Sequence, residues 1–121
     1  MNLQSTYAFY GSLRRGMVNH KRYGAGLRFL FQEEIQGYQL FEMKHYPYAV
    51  KTGSKADFIT VEVFKVTDQS TERAIHELEL GVGYYYDEVI IQGKEIGIYL
   101  FRERGPEPLV KGGDWVRFFG S

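Results

Sequence analysis

Only one stretch of this chain, from Asp68-Gln69-Ser70-Thr71 to about Leu80, carries the pattern of a substantial helix. Asp68 to Thr71 offer N-caps, Ala74, Ile75 and Leu78 form an apolar stripe, and Gly81 and Gly83 end the segment. Nearly everything else is short aromatic and β-branched runs cut by glycine, so the core has to be built from strands. A length of 121 residues sets one domain, 1–121, large enough to fold without metal or disulfide staples. An aromatic content of 17%, with ten Tyr, nine Phe and a single Trp, fits strands around a cavity that is apolar but carries hydroxyls.

Leu3 to Tyr10 reads as a first strand that stops at Gly11, and Asn19 to Tyr23 as a helical turn. Ala25 to Met43 reads as two strands, interrupted at Gln32-Glu33-Glu34 and carrying Gly37. Pro47 forces Tyr46 into an extended conformation, and Lys51 to Asp57 carries turn chemistry. Phe58 to Val66 is the strongest strand, with Ile59, Val61 and Val63 on one face and Phe58, Thr60, Glu62, Phe64 and Val66 on the other. Tyr84 to Ile91 and Glu95 to Phe101 alternate as a hairpin around Gln92-Gly93-Lys94, and the tail to Asp114-Trp115-Val116 reads as irregular. The expectation is an α+β domain: a small mixed β-barrel of about six or seven strands with one main flanking helix. Closure follows from the need to manage exposed edges in so short a chain.

Charge and composition remove several function classes. Fifteen basic residues balance fifteen acidic ones, so no global field gathers nucleic acid or anionic lipid, and no RNP1-like string accompanies the aromatic strands. The absence of cysteine excludes thiolate zinc and thiol nucleophiles and fits a reducing, cytoplasmic compartment. No run approaches the roughly 20 apolar residues of a membrane span, and Met1-Asn2-Leu3-Gln4-Ser5-Thr6 lacks the features of a signal peptide. His20, His45 and His76 are scattered without metal-ligand spacing, so no metal site is expected.

Three features carry candidate chemistry. Glu79 follows Ile75 by four residues, at the edge of the apolar stripe and in the last helical turn, where both burial and the helix dipole disfavour its charge. That placement raises the carboxyl toward the range of a general acid/base, although by residue type alone a Glu beside an apolar stripe is more often a boundary residue; Glu77, four after Arg73, belongs to the solvent face. Glu62 lies mid-strand on a face shared with Phe58, Phe64 and Val66, where it needs a partner or a cavity unless that face meets solvent. The loop Gly11-Ser12-Leu13-Arg14-Arg15-Gly16 offers accessible backbone N–H groups for an anion but has neither P-loop nor dinucleotide spacing.

Tyr10-Gly11-Ser12-Leu13-Arg14-Arg15-Gly16 with Asn19-His20 resembles the N-terminal signature of the γ-glutamylcyclotransferase-like superfamily, nearest its γ-glutamylaminecyclotransferase branch. The resemblance continues through His45-Tyr46-Pro47, Ala49-Val50, the strand Val61 to Val66, Ile75-His76-Glu77-Leu78-Glu79, Tyr85, Tyr99 and Gly113-Asp114-Trp115. It implies a pocket at one end of a mixed barrel and conversion of a γ-glutamyl amide to 5-oxoproline and free amine, with no cofactor. It implies Glu79 as the acid/base, and Tyr10, Gly11, Ser12 and Leu13 as the glutamyl-binding loop, with Tyr85 and Glu62 lining the pocket. A small γ-glutamyl compound is the partner implied, and the protein is expected as a monomer or homodimer. His76, Leu80 and Asp87 stand where the family pattern has an aspartate, a glycine and an arginine. They raise the alternative of a glutamyl-binding domain without turnover.

Overall fold

A computed structural model describes residues 5–44 and 46–119. Met1 to Gln4, the start of the expected first strand, and His45 lie outside the described residues. Seven strands form among the described residues: β1 (Thr6–Phe9), β2 (Leu27–Gln36), β3 (Tyr38–Met43), β4 (Tyr46–Lys51), β5 (Phe58–Val66), β6 (Tyr85–Ile91) and β7 (Lys94–Leu100). Three α-helices join them: α1 (Val18–Tyr23), α2 (Gln69–Val82) and α3 (Trp115–Phe119).

The expected α+β class holds, but the described strands do not close into one ring. Five form a sheet in the order β2-β5-β1-β7-β6, and β3 and β4 pair as a separate hairpin. Among these strands the β1–β7 pairing is parallel and the others are antiparallel. Gly37, at φ +94°, turns the chain out of β2, and two isolated bridges, Phe41 with Leu109 and Val50 with Phe101, extend the hairpin's backbone pairing to its surroundings.

The expected break at Gln32-Glu33-Glu34 does not occur. β2 runs through it, with one irregularity at Leu30, because it is an edge strand whose outer side chains reach solvent. Polar residues there cost little and discourage pairing with another chain.

Strand alternation sorts the sheet into two buried faces. Register pairs Tyr7 with Phe64 and Phe9 with Glu62, so these four side chains share the face that α2 covers. Ala8 pairs with Val63 on the other face, against which β3 and β4 lie. β5 is therefore buried on both faces, with Ile59, Val61, Val63 and Phe64 fully enclosed. The tail is a strap: Val110 N–H donates to the Leu40 carbonyl at 2.8 Å and Thr60 N–H to the Gly113 carbonyl at 2.8 Å, before α3 buries Trp115.

Candidate active site

β1 leaves the sheet at Tyr10 and turns sharply through Gly11, whose carbonyl accepts the Arg14 N–H at 3.0 Å. A Cβ at Gly11 would lie 2.8 Å from both Cγ and Cδ of Pro47, so only glycine lets the loop rest on that ring. The Ser12 carbonyl accepts the N–H groups of Asn19 and His20 at 3.0 and 3.1 Å, which ties the loop to α1. The N–H groups of Gly11, Ser12 and Leu13 take no partner among the described residues. Asn19 Nδ2 donates to Ser12 Oγ at 2.8 Å, leaving the Ser12 proton free to be donated. The loop is thus an unfilled set of donors for a negative oxygen.

Its far side is anchored by Glu62. One carboxylate oxygen accepts Arg14 Nε at 2.8 Å; the other accepts the Arg15 N–H and Nε, each at 3.0 Å. Arg14 continues to Asp114 at 2.7 Å, joining the loop to the base of α3. Burial alone would raise the Glu62 carboxyl, but the Arg15 N–H and the two guanidinium groups outweigh it and hold it below its ordinary value.

α2 supplies the opposite wall. Asp68 caps its start, accepting the Thr71 N–H at 2.7 Å, and Gly83 in the left-handed region ends it. At spacings of three and four residues, Glu72, Ile75, His76 and Glu79 share one face. Glu72 accepts from Ser5 Oγ at 3.1 Å and Tyr7 at 2.5 Å. His76 Nδ1 lies 2.9 Å from the Tyr99 hydroxyl.

Glu79 lines a cavity of about 130 Å³ between the last turn of α2, the 10–13 loop and the start of β4. Its carboxyl is pushed up to about 8 by burial. The nearby tyrosines explain why nothing offsets that burial. Tyr10 donates to the Tyr99 carbonyl at 2.5 Å, Tyr84 to the Pro47 carbonyl at 2.5 Å, and Tyr99 meets His76. With those hydroxyls engaged elsewhere, no described donor is hydrogen-bonded to the Glu79 carboxyl, and its neutral form is favoured. A carboxyl in this condition can exchange a proton with a bound amine near neutral pH. Among the described residues no three His, Asp or Glu side chains converge as metal ligands.

Five of the seven residues singled out from sequence come together here: Tyr10, Gly11, Ser12, Leu13 and Glu79. Glu62 and Tyr85 do not. Glu62 is enclosed by its arginines, and Tyr85 begins β6 outside the cavity, under the Arg102 guanidinium at 4.2 Å from its ring centre. Tyr84 turns inward in its place. Of the departures from the family pattern, Leu80 faces solvent and Asp87 approaches Lys51 at 3.8 Å; only His76 reaches the cavity wall, through Tyr99. Sequence reasoning did not single out Leu78, Val82 or Tyr84 as site residues. Leu78 reads from the sequence as part of the core stripe, and the four-residue step from Leu78 to Val82 is the signal that places both on one helix face.

A family model described as "Gamma-glutamyl cyclotransferase, AIG2-like" matches residues 7–117 of the chain. The chain belongs to this family. A Pyrococcus horikoshii protein named "Putative gamma-glutamylcyclotransferase" is 39% identical over 111 residues, covering 89% of this chain and 88% of that one. A Methanocaldococcus jannaschii protein of the same printed name is 32% identical over 120 residues, covering 94% and 98%. The crystal structure from P. horikoshii superposes with a TM-score of 0.79 at 34% identity, over 95% of this chain and 94% of that one. A mouse AIG2-like crystal structure shares the fold at 18% identity, with a TM-score of 0.67 over 88% and 86%. The cyclotransferase-family match spans both walls of the cavity, from β1 through α2 to β7.

Proposed function

We propose that this protein is a γ-glutamylcyclotransferase that converts a γ-glutamyl amine or amide to 5-oxoproline and the free amine. The observation that carries the reading is the placement of Glu79, raised by burial, across a small cavity from the unfilled donors of Gly11, Ser12 and Leu13. The volume, roughly four waters' worth, is on the scale of a five-membered ring bearing a carboxylate.

The chemistry is intramolecular, so the protein's task is to fold the substrate, move protons and hold an oxyanion. Glu79 takes a proton from the substrate α-ammonium, and the freed nitrogen attacks the γ-carbonyl carbon. The loop N–H groups and the Ser12 hydroxyl hold the substrate carboxylate and the oxygen that becomes negative. As the bond from carbon to the departing nitrogen breaks, Glu79 returns the proton to that nitrogen. The ring nitrogen loses a second proton, which ends on the released amine, so an ammonium enters and an ammonium leaves. An α-amino group ordinarily titrates near ~8, so its exchange with a carboxyl at about 8 is close to balanced.

Because the productive complex holds one proton between those two groups, kcat/KM is expected to be bell-shaped in pH with its maximum near pH 8. The test is 5-oxoproline release from γ-glutamyl-ε-lysine and a panel of γ-glutamyl alkylamines. Product with any member supports the reading. Thermal stabilisation by the panel without product would assign the cavity to binding alone and overturn it.

A further inference from the structure

Among the described residues, the hydrogen bonds between α1 and the 10–13 loop all run in one direction. The N–H groups of Asn19 and His20 donate to the Ser12 carbonyl at 3.0 and 3.1 Å, His20 Nδ1 donates to the Leu13 carbonyl at 3.0 Å, and Asn19 Nδ2 donates to Ser12 Oγ at 2.8 Å. The helix thus takes up acceptors of the loop and none of its donors. A trans peptide points its C=O and N–H to opposite sides, so with the Ser12 carbonyl held on α1 the Leu13 N–H turns away from the helix. Ser12 and Asn19 are both half-buried, and both line the cavity.

We propose that Asn19 is a positioning residue: its Nδ2–H on Ser12 Oγ commits the Ser12 hydroxyl to donating, which makes that hydroxyl a further donor, beside the unfilled N–H groups of the loop, for a carboxylate or a developing oxyanion. This rests on the reading that the loop binds such a negative oxygen.

A serine hydroxyl carries one proton and can point it either way. Beside an anion, a proton facing the ligand attracts it and a lone pair facing it repels, so the direction of the Ser12 hydroxyl decides whether the side chain helps binding or opposes it. Asn19 occupies a lone pair of that oxygen, and no acceptor among the described residues takes its proton. Asn19→Asp keeps the shape of the side chain but offers only acceptor oxygens. It keeps a hydrogen bond to Ser12 and reverses its direction, drawing the hydroxyl proton away from the ligand. Asn19 lies in the first turn of α1, which has no acidic residue, and the helix dipole favours a negative charge there. The fold is therefore expected to be at least as stable in Asn19→Asp, and a loss of binding would not come from unfolding.

The experiment measures the dissociation constant of one probe, the mono-n-butylamide of glutaric acid, by calorimetry for wild type, Asn19→Asp, Ser12→Ala and the double variant. The probe has the carboxylate and the amide carbonyl of a γ-glutamyl amine but no nitrogen to attack, so the result stands apart from whether the protein turns over γ-glutamyl amides. With Ser12 present, Asn19→Asp is expected to weaken binding about tenfold. In the Ser12→Ala background the same substitution is expected to weaken it less than about threefold, the share that belongs to the added charge alone. Melting temperatures are expected to hold or rise in Asn19→Asp; a bond that only braced the loop would leave binding unmoved as well. Equal losses in the two backgrounds overturn the proposal, as does unchanged binding in Asn19→Asp. If Asn19→Asp does not fold, Asn19→Ala decides, because it frees the hydroxyl to rotate. It is expected to weaken binding about threefold with Ser12 present and to leave it unchanged in the Ser12→Ala background, and equal effects in both overturn the proposal. A wild-type protein that does not take up the probe overturns instead the reading of the loop as an anion site, and the proposal with it.

Discussion

Glu79 and Glu62 are both carboxyls inside the protein, and their neighbours push them in opposite directions. Glu79 meets tyrosines whose protons are engaged elsewhere, so burial raises it; Glu62 meets two arginines that outweigh burial. The consequences for stability have opposite signs. An unfolded chain ionises Glu79 near 4.5, but the folded chain keeps it neutral to about 8, so the unfolded state gains stability as pH rises between those values. Replacing Glu79 with glutamine removes that cost. Glu79→Gln is expected to stabilise the fold by about 1–3 kcal/mol at pH 8, with the gain shrinking to nothing below about pH 4.5. Thermal melts across that range check it, and equal melting temperatures at pH 8 contradict it. Glu62, held low, contributes stability above its ordinary value that is lost as pH falls through its folded value.

Elements matter here for what they hold in place. The 10–13 loop buries Tyr10 and Leu13, and its shape depends on Pro47 beneath Gly11, α1 on the Ser12 carbonyl, and β5 through Glu62. Glu62→Gln keeps the shape but removes one of the two carboxylates paired with the buried Arg14, leaving Asp114 as the other. It is expected to cost about 1–3 kcal/mol of stability and to raise KM more than it lowers kcat, because the cradle loosens while Glu79 is untouched. Steady-state kinetics with a chemical denaturation curve would check both parts. The sequence pattern placed Glu62 on the correct strand face but could not name its partner. A buried acid mid-strand signals a need for pairing, whereas Arg14 lies 48 positions away in the chain and meets it only in the folded sheet. α2 was legible almost to its ends, since capping and the apolar stripe are local. The switch from Tyr85 to Tyr84 was not: it depends on where β6 begins after the helix cap.

Across the whole molecule, strand content and the α+β class followed from local patterns, but the arrangement of the strands did not. The division into a five-stranded sheet and a hairpin depends on tail contacts over long sequence distances, and α3, five residues long, is too short to show helical periodicity. The tail nonetheless closes the domain. Trp115 is 1% exposed, and Asp114 beside it completes the chain of charges through Arg14 to Glu62. Trp115→Ala is expected to destabilise the protein by about 3–5 kcal/mol, read by denaturation, and an unaltered midpoint would show that the strap is dispensable. The sheet, the loop and α2 together bring Glu79 to the cavity, where we propose that it moves a proton between two amines. The most direct measurement is the rate of 5-oxoproline formation at pH 8 from the best γ-glutamyl amine, compared between the wild-type protein and Glu79→Gln. A fall of about 10²–10⁴-fold with folding retained is expected; a Glu79→Gln rate within a few-fold of wild type would contradict an acid/base role for Glu79.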